Sequence, residues 1–165
     1  MGSGKSVIGR NLSKAISYNF YDLDNFIITK EGLTINEIFE QKKEIYFRKI
    51  EREYLKELIN KDEEKVISLG GGTPCYDNNM EIILNTVDSD SIYIHRSISF
   101  LVDRLYNKIY SRPLIAHLKS KEELKEFISK HLFERNQYYL RSKKILKTDN
   151  SELDQVIQEL MGVLG

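Results

Sequence analysis

Short apolar runs alternate with longer amphipathic stretches along this chain, and each stretch suggests an element. Between Lys5 and Ser17 the apolar residues Val7, Ile8, Leu12, Ala15 and Ile16 recur at spacings that fit one face of a helix. Asn19 to Asp22 is short and aromatic, a strand that ends in acids. Thr34 and Glu37 have the spacing of a capping box and open a helix expected to reach Asn60. Val66 to Leu69 reads as a buried strand that stops at Gly70-Gly71-Gly72. Asp77 to Thr86 follows as a helix, Ser91 to Ile94 as a strand and Ser97 to Tyr106 as a helix. Asn107 to Leu118 contains Pro113 and reads as a loop. Ser120 and Glu123 cap a further helix reaching Ser142, Ile145 to Lys147 forms a short last strand, and Ser151 to Leu164 closes the chain as an amphipathic helix.

Strands that alternate with helices imply a parallel sheet covered by helices on both faces. With 165 residues and no linker-like tract, one domain is expected. Ligands of such sheets bind beyond the carboxyl ends of the strands. Asp22 and Asp24, the three glycines and the first ten residues all fall at those ends. The formal net charge is zero, which gives no reason to expect nucleic acid or an anionic membrane as partner. Neither a long apolar run nor a signal-peptide pattern is present, and the lone Cys75 fits a reducing compartment, so a cytoplasmic protein is expected. Three scattered histidines and one cysteine do not make a zinc site.

The chemistry begins at the first residues. Gly4-Lys5-Ser6 is the end of the Gly-x-x-x-x-Gly-Lys-Ser/Thr phosphate loop, whose backbone N–H groups, lysine and hydroxyl hold phosphates and Mg²⁺. Met-Gly-Ser-Gly is also a common expression artefact. The helical periodicity directly after Lys5 favours the loop, because a helix N-terminus adds positive charge to a phosphate site. The first glycine of the pattern would precede Met1, as would the strand that feeds the loop. The expectation is therefore a natural chain that begins upstream, with Met1 an internal residue and the first strand missing.

Four further groups are ambiguous one at a time. Asp22 and Asp24 are either a metal-holding and a hydroxyl-binding carboxylate or a solvated turn. Arg48 and Glu51, three apart on a helix, are either a clamp for a substrate carboxylate or a surface pair. The three glycines mark either a close approach to ligand or a flexible turn. Arg112 and Arg141 are either phosphate- and carboxylate-binding or plain surface residues.

Taken together and in this order, the phosphate loop, Asp22-x-Asp24, Phe47-Arg48-x-x-Glu51, Gly70-Gly71-Gly72, Arg112-Pro113-Leu114 and Tyr139 with Arg141 resemble the shikimate kinase family. The resemblance covers nearly the whole chain. It implies a three-layer α/β/α P-loop kinase fold with a mostly parallel five-stranded sheet, whose central first strand is absent here. It implies phosphorylation of the 3-hydroxyl of shikimate by ATP with Mg²⁺, towards chorismate and the aromatic amino acids, by a monomer. Carried over by motif, Gly2, Ser3, Gly4, Lys5, Ser6 and Val7 would bind the nucleotide. Ser6 would bind Mg²⁺ directly and Asp22 through water. Asp24 would hold the acceptor hydroxyl as candidate base. Arg48 and Arg141 would clamp the substrate carboxylate beside Gly70, Gly71 and Gly72, with Glu51 holding Arg48. Arg112 would come from a lid over about residues 107–118, with Arg104 a further phosphate contact.

Two other features depart from the family. Lys43-Glu44 stands where Gly-Glu is usual and reads as a helix-surface change, and the lid lacks glycine. Rival readings are a gluconate-kinase-like enzyme, a silent kinase-like binding domain and a regulatory nucleotide-binding domain.

Overall fold

The computed structural model describes residues 2–107, 114–149 and 151–164. Gly2 and Gly4, at φ 78° and 89°, curl the chain in the left-handed region straight into α1 (Lys5–Ala15). Strand β1 (Asn19–Asp22) is followed without a loop by α2 (Leu23–Glu31), and α3 (Ile35–Ile59) follows a two-way capping box at Thr34 and Glu37. Then come β2 (Lys65–Ser68), a 3-10 turn (Thr73–Cys75), α4 (Asn79–Asn85), β3 (Ile92–His95) and α5 (Ile98–Tyr106). The chain closes with α6 (Lys121–Tyr139), β4 (Lys144–Lys147) and α7 (Leu153–Leu164).

All pairing among the described strands is parallel, as expected, but the sheet is not continuous. β1 pairs with β2, with Asp22 beside Ser68, and β3 pairs with β4, with His95 beside Lys147. The expected sheet, five strands less its central first one, is seen as four strands in two separate pairs. Side chains join the pairs instead. Val66 of β2 and Ile92 and Ile94 of β3 pack on one apolar cluster with Ile8 and Leu12 of α1, Leu146 of β4, and Val156, Ile157 and Leu160 of α7. Burying a Leu, Ile or Val fully contributes roughly 1.5–3 kcal/mol, so this cluster carries much of the cohesion that backbone bonds between β2 and β3 would have supplied.

Two other clusters hold the flanks. Leu23 and Ile27 of α2 meet Ile38, Phe47, Ile50, Leu55 and Leu58 of α3. Ile115 joins Leu101, Val102 and Leu105 of α5 to Leu124 and Ile128 of α6. Ile115 is fully buried, so the segment expected to be a loop is anchored at its far end.

Helix α2 is the element that periodicity did not predict. Its stretch is mixed in character, and the turn was attributed to the two acids alone. Asp22 caps it, its Oδ1 accepting from Asn25 N at 3.4 Å, and Gly32 ends it at φ 67°. Lys43 also departs from expectation. It has φ 69° and ψ 169° within α3, a conformation nearly confined to glycine, and it kinks the helix. This position is thus a backbone strain point. Lys43→Gly is expected to stabilise the protein by about 1–2 kcal/mol, the strain relieved less the entropy glycine loses on folding. A urea titration checks it: an unchanged or lower midpoint at constant slope would show that the kink carries no strain.

Candidate functional site

Three strand or helix ends converge beside the first turn of α1. Gly4 is the N-cap of α1, and its carbonyl accepts from Val7 N and Ile8 N at 3.0 Å. Ser6 Oγ donates to Asp22 Oδ2 at 2.5 Å and lies 3.2 Å from Ser68 Oγ at the end of β2. Lys5 Nζ donates to Ser6 Oγ at 3.4 Å and to Ser68 Oγ at 3.5 Å. These are long, weak bonds, so the ammonium remains available to an anion. The register of β1 against β2 is what brings Asp22 and Ser68 together. Ser68 was missed in the sequence, where a strand-end serine next to glycines carries no signal of its own.

Ser6 and Asp22 suit Mg²⁺. A hydroxyl and a carboxylate oxygen meet at one point, both are hard donors, and Mg²⁺ is commonly held by one or two such groups together with substrate phosphates. Among the described residues there is no cluster of three or more His, Cys, Asp or Glu that would form an all-protein cage.

Asp24 stands in the first turn of α2, against the glycine turn. A Cβ added at Gly70 would lie 2.9 Å from Thr73 Oγ1, 3.0 Å from Asp24 Oδ1 and 3.3 Å from Glu51 Oε1. Only glycine lets the backbone pass there. Burial raises the pKa of Asp24; Lys5 lowers it, Asp22 raises it and Arg48 lowers it, with a net rise.

The second half of the site is built on α3. Glu51 is 1% exposed; its Oε2 accepts from Arg48 Nη1 at 2.8 Å and its Oε1 from Thr73 Oγ1 at 2.7 Å. Glu44 Oε1 accepts from Arg48 Nε and Nη2 at 3.3 and 3.2 Å, and the guanidinium lies 3.6 Å from the centre of the Tyr76 ring. A Cβ at Gly72 would approach Arg48 Nη1 to 3.0 Å. The pair expected from Arg48 and Glu51 therefore exists, and the glycine turn passes directly against it. Thr73 and Glu44, which complete the grip, were not picked out.

Arg141 is not brought to this group. Its Nη1 donates to Glu81 at 2.8 Å, and both side chains are largely solvated. It lies beyond Leu140, the C-cap of α6, where the helix no longer directs it towards the turn. One helical turn before Tyr139 stands Arg135, which the sequence reading passed over. Tyr139 donates to the carbonyl of Gly71, and burial pushes its phenol up to about 12, with Arg135 beside it. Burial likewise raises the Cys75 thiol, while Arg135 and Arg48 both pull it down, so both guanidiniums lie near this thiol. The i, i+4 spacing of Arg135 and Tyr139 was the available signal. Arg112, and with it most of the expected lid, lies outside the described residues.

Phosphate-binding groups at one end and a cationic clamp at the other, with a desolvated carboxylate between, make this a P-loop kinase of small acceptors. A profile of shikimate kinase matches residues 1–164. The chain is 46% identical to the shikimate kinase of Flavobacterium johnsoniae over 165 residues, which is 100% of this chain and 95% of the relative. It superposes on the shikimate kinase of Bacteroides thetaiotaomicron with a TM-score of 0.91 and 31% identity, over 99% of this chain and 93% of that one. For the enzyme of Acinetobacter baumannii, solved with shikimate, the values are 0.85 and 26%, over 99% and 88%. The chain belongs to the shikimate kinase family. Its reaction is the ATP-dependent phosphorylation of the 3-hydroxyl of shikimate, giving shikimate 3-phosphate and ADP, with Mg²⁺ as cofactor. Among the described residues no helix is long and apolar enough to cross a membrane.

The buried carboxylate makes a test of stability. The folded pKa of Asp24 is raised, so its protonated form is favoured in the folded state; that contribution is full below the unfolded pKa and is lost as pH rises through the folded one. Asp24→Asn is expected to raise the melting temperature at pH 7 to 8. The gain should shrink as pH falls towards the ordinary aspartate value of about 3.9. Melting curves of both proteins across that range test it, and a gain that does not vary with pH would remove burial as its cause.

Proposed function

We propose how the residues of this site divide the work of the shikimate kinase reaction. Gly2 to Val7 bind the nucleotide phosphates, with Lys5 as the movable cation. Ser6 binds Mg²⁺ directly and Asp22 holds it through water. Ser6 and Asp22 would hold Mg²⁺ where it would supply charge neutralisation for the nucleotide phosphates. Asp24 accepts a hydrogen bond from the acceptor hydroxyl and takes its proton as the oxygen bonds to phosphorus and ADP departs. A raised pKa suits that role, since a base is most effective when its pKa approaches the working pH.

Arg48 anchors the substrate carboxylate. The observation that carries this reading is its double fixation by Glu51 and Glu44 against the glycine turn. A guanidinium fixed through all three of its nitrogens keeps its remaining N–H groups aimed, so a small hydroxylated acid is bound in one orientation with one hydroxyl in line. Gly70, Gly71 and Gly72 admit the substrate close to backbone. Arg135, and not Arg141, is the second cation of the clamp, supported by its place beside Tyr139 and Cys75. On this reading the enzyme works as a monomer.

Two sets of variants test the assignment. Arg48→Ala and Arg135→Ala are each expected to weaken shikimate binding on the order of tenfold or more, the value of a charge-assisted hydrogen bond, whereas Arg141→Ala leaves it unchanged. Titration with shikimate reads this directly, and the reverse ranking of Arg135 and Arg141 would return the clamp to the end of α6. Lys5→Ala is expected to abolish turnover with shikimate affinity retained. If it keeps near-normal kcat, the ammonium does not serve the transferred phosphoryl group.

A further inference from the structure

Arg96 follows β3 directly and is the one arginine among the most buried polar residues, at 7% exposure. Its Nε and Nη1 are sealed from solvent and have no hydrogen-bond partner among the described residues. Its guanidinium lies 4.2 Å from the centre of the Phe100 ring, one helical turn into α5. Stacking on an aromatic face stabilises the charge but satisfies none of the in-plane N–H groups. Burial and the charge of Arg104 both oppose ionisation of Arg96, and only Asp149 favours it. The guanidinium stays charged in proteins, so the cost is not escaped by losing the proton. Asp149 does not remove it, because its Oδ1 is occupied by Ser97 N at 2.8 Å.

The surroundings show what such a group could serve. Arg104, on α5, reaches across to the phosphate loop, where its Nη2 lies 3.4 Å from the position a Cβ of Gly4 would take. Arg104 is exposed and flanks the loop from the side of α5, and its charge is felt by the sealed guanidinium of Arg96. Arg96 itself lies past the carboxyl end of β3, where a parallel sheet receives its ligands. Like charges brought together at a loop of free backbone N–H groups repel one another until a polyanion arrives. An apolar core has no use for Arg96 at this position, and a solvated surface would have left its donors wet.

We propose that Arg96 is a nucleotide-phosphate ligand, stacked on Phe100 in the free protein and turning to donate Nε–H and Nη1–H to phosphoryl oxygens beside Arg104. The proposal rests on the reading of Gly2 to Ser6 as the phosphate loop. The test is calorimetric titration of the full chain with Mg-ATP, Mg-ADP and adenosine, comparing wild type with Arg96→Met, which keeps the packing on Phe100 and removes the donors. ATP and ADP should bind on the order of tenfold more weakly to Arg96→Met, with adenosine and shikimate unchanged. Arg96→Lys should recover part of the loss. Unchanged ATP affinity in the folded Arg96→Met protein overturns the proposal, and so does an equal loss for adenosine, which would mean that the residue supports the base or the fold. Should Arg96→Met be unfolded at the assay temperature, Arg96→Lys alone decides, and unchanged ATP and ADP affinity then counts against the proposal. Failure of the wild type itself to bind ATP would instead sink the phosphate-loop reading.

Discussion

The buried carboxylate of Glu51 is the interaction on which the site depends. A charge with 1% exposure is tolerated only when its oxygens are filled, and here Arg48 fills one and Thr73 the other. The bond to Thr73 ties α3 to the 3-10 turn that follows β2, and Arg48, held on α3 by the other bond, lies against Gly72 while Asp24 lies against Gly70. Removing one partner of such a buried pair costs more than the pair contributes, because the remaining charge is stranded. The same bonds thus hold the fold locally and aim the guanidinium at whatever enters the cleft.

Electrostatic tension runs through the rest of the site. Burial pushes Asp24 towards its protonated form, while Lys5 and Arg48, from opposite sides, pull it back towards ionisation. A carboxylate balanced in this way suits the proton-accepting role proposed for it, at a cost in stability. Lys5 contributes to the tension as well, since among the described residues its bonds are long ones to two serines.

Much of this architecture was legible in the residues. Capping at Thr34 and Ser120 and the apolar spacing of α1 and α7 located helices to within a few residues. The acids after β1 and the three glycines after β2 were correctly placed at the ends of parallel neighbours. Three things were not legible. Helix α2 lacks a clean polar face, so its period is weak. The left-handed turn at Lys43 is a tertiary demand that no local propensity announces, since lysine is a good helix former. The choice between Arg135 and Arg141 depends on which face of α6 meets the glycine turn. Adjacency in sequence points to Arg141, which pairs with Glu81, whereas helical spacing from Tyr139 points to Arg135, near the thiol of Cys75.

The crowding at Gly70 has a consequence for how this site can vary. Three side chains from three separate elements, Asp24, Glu51 and Thr73, approach within 2.9–3.3 Å of the place where its Cβ would stand. Residues in such contact do not contribute independently, so the effect of changing one depends on the identity of the others. A larger residue at position 70 becomes tolerable only after a neighbour has shrunk, and a smaller neighbour opens a void unless position 70 grows. Paths by which this enzyme could drift to a different acceptor are therefore ordered in time: the supporting residues must change before the glycine does, and most single steps in the other order lead to an inactive protein.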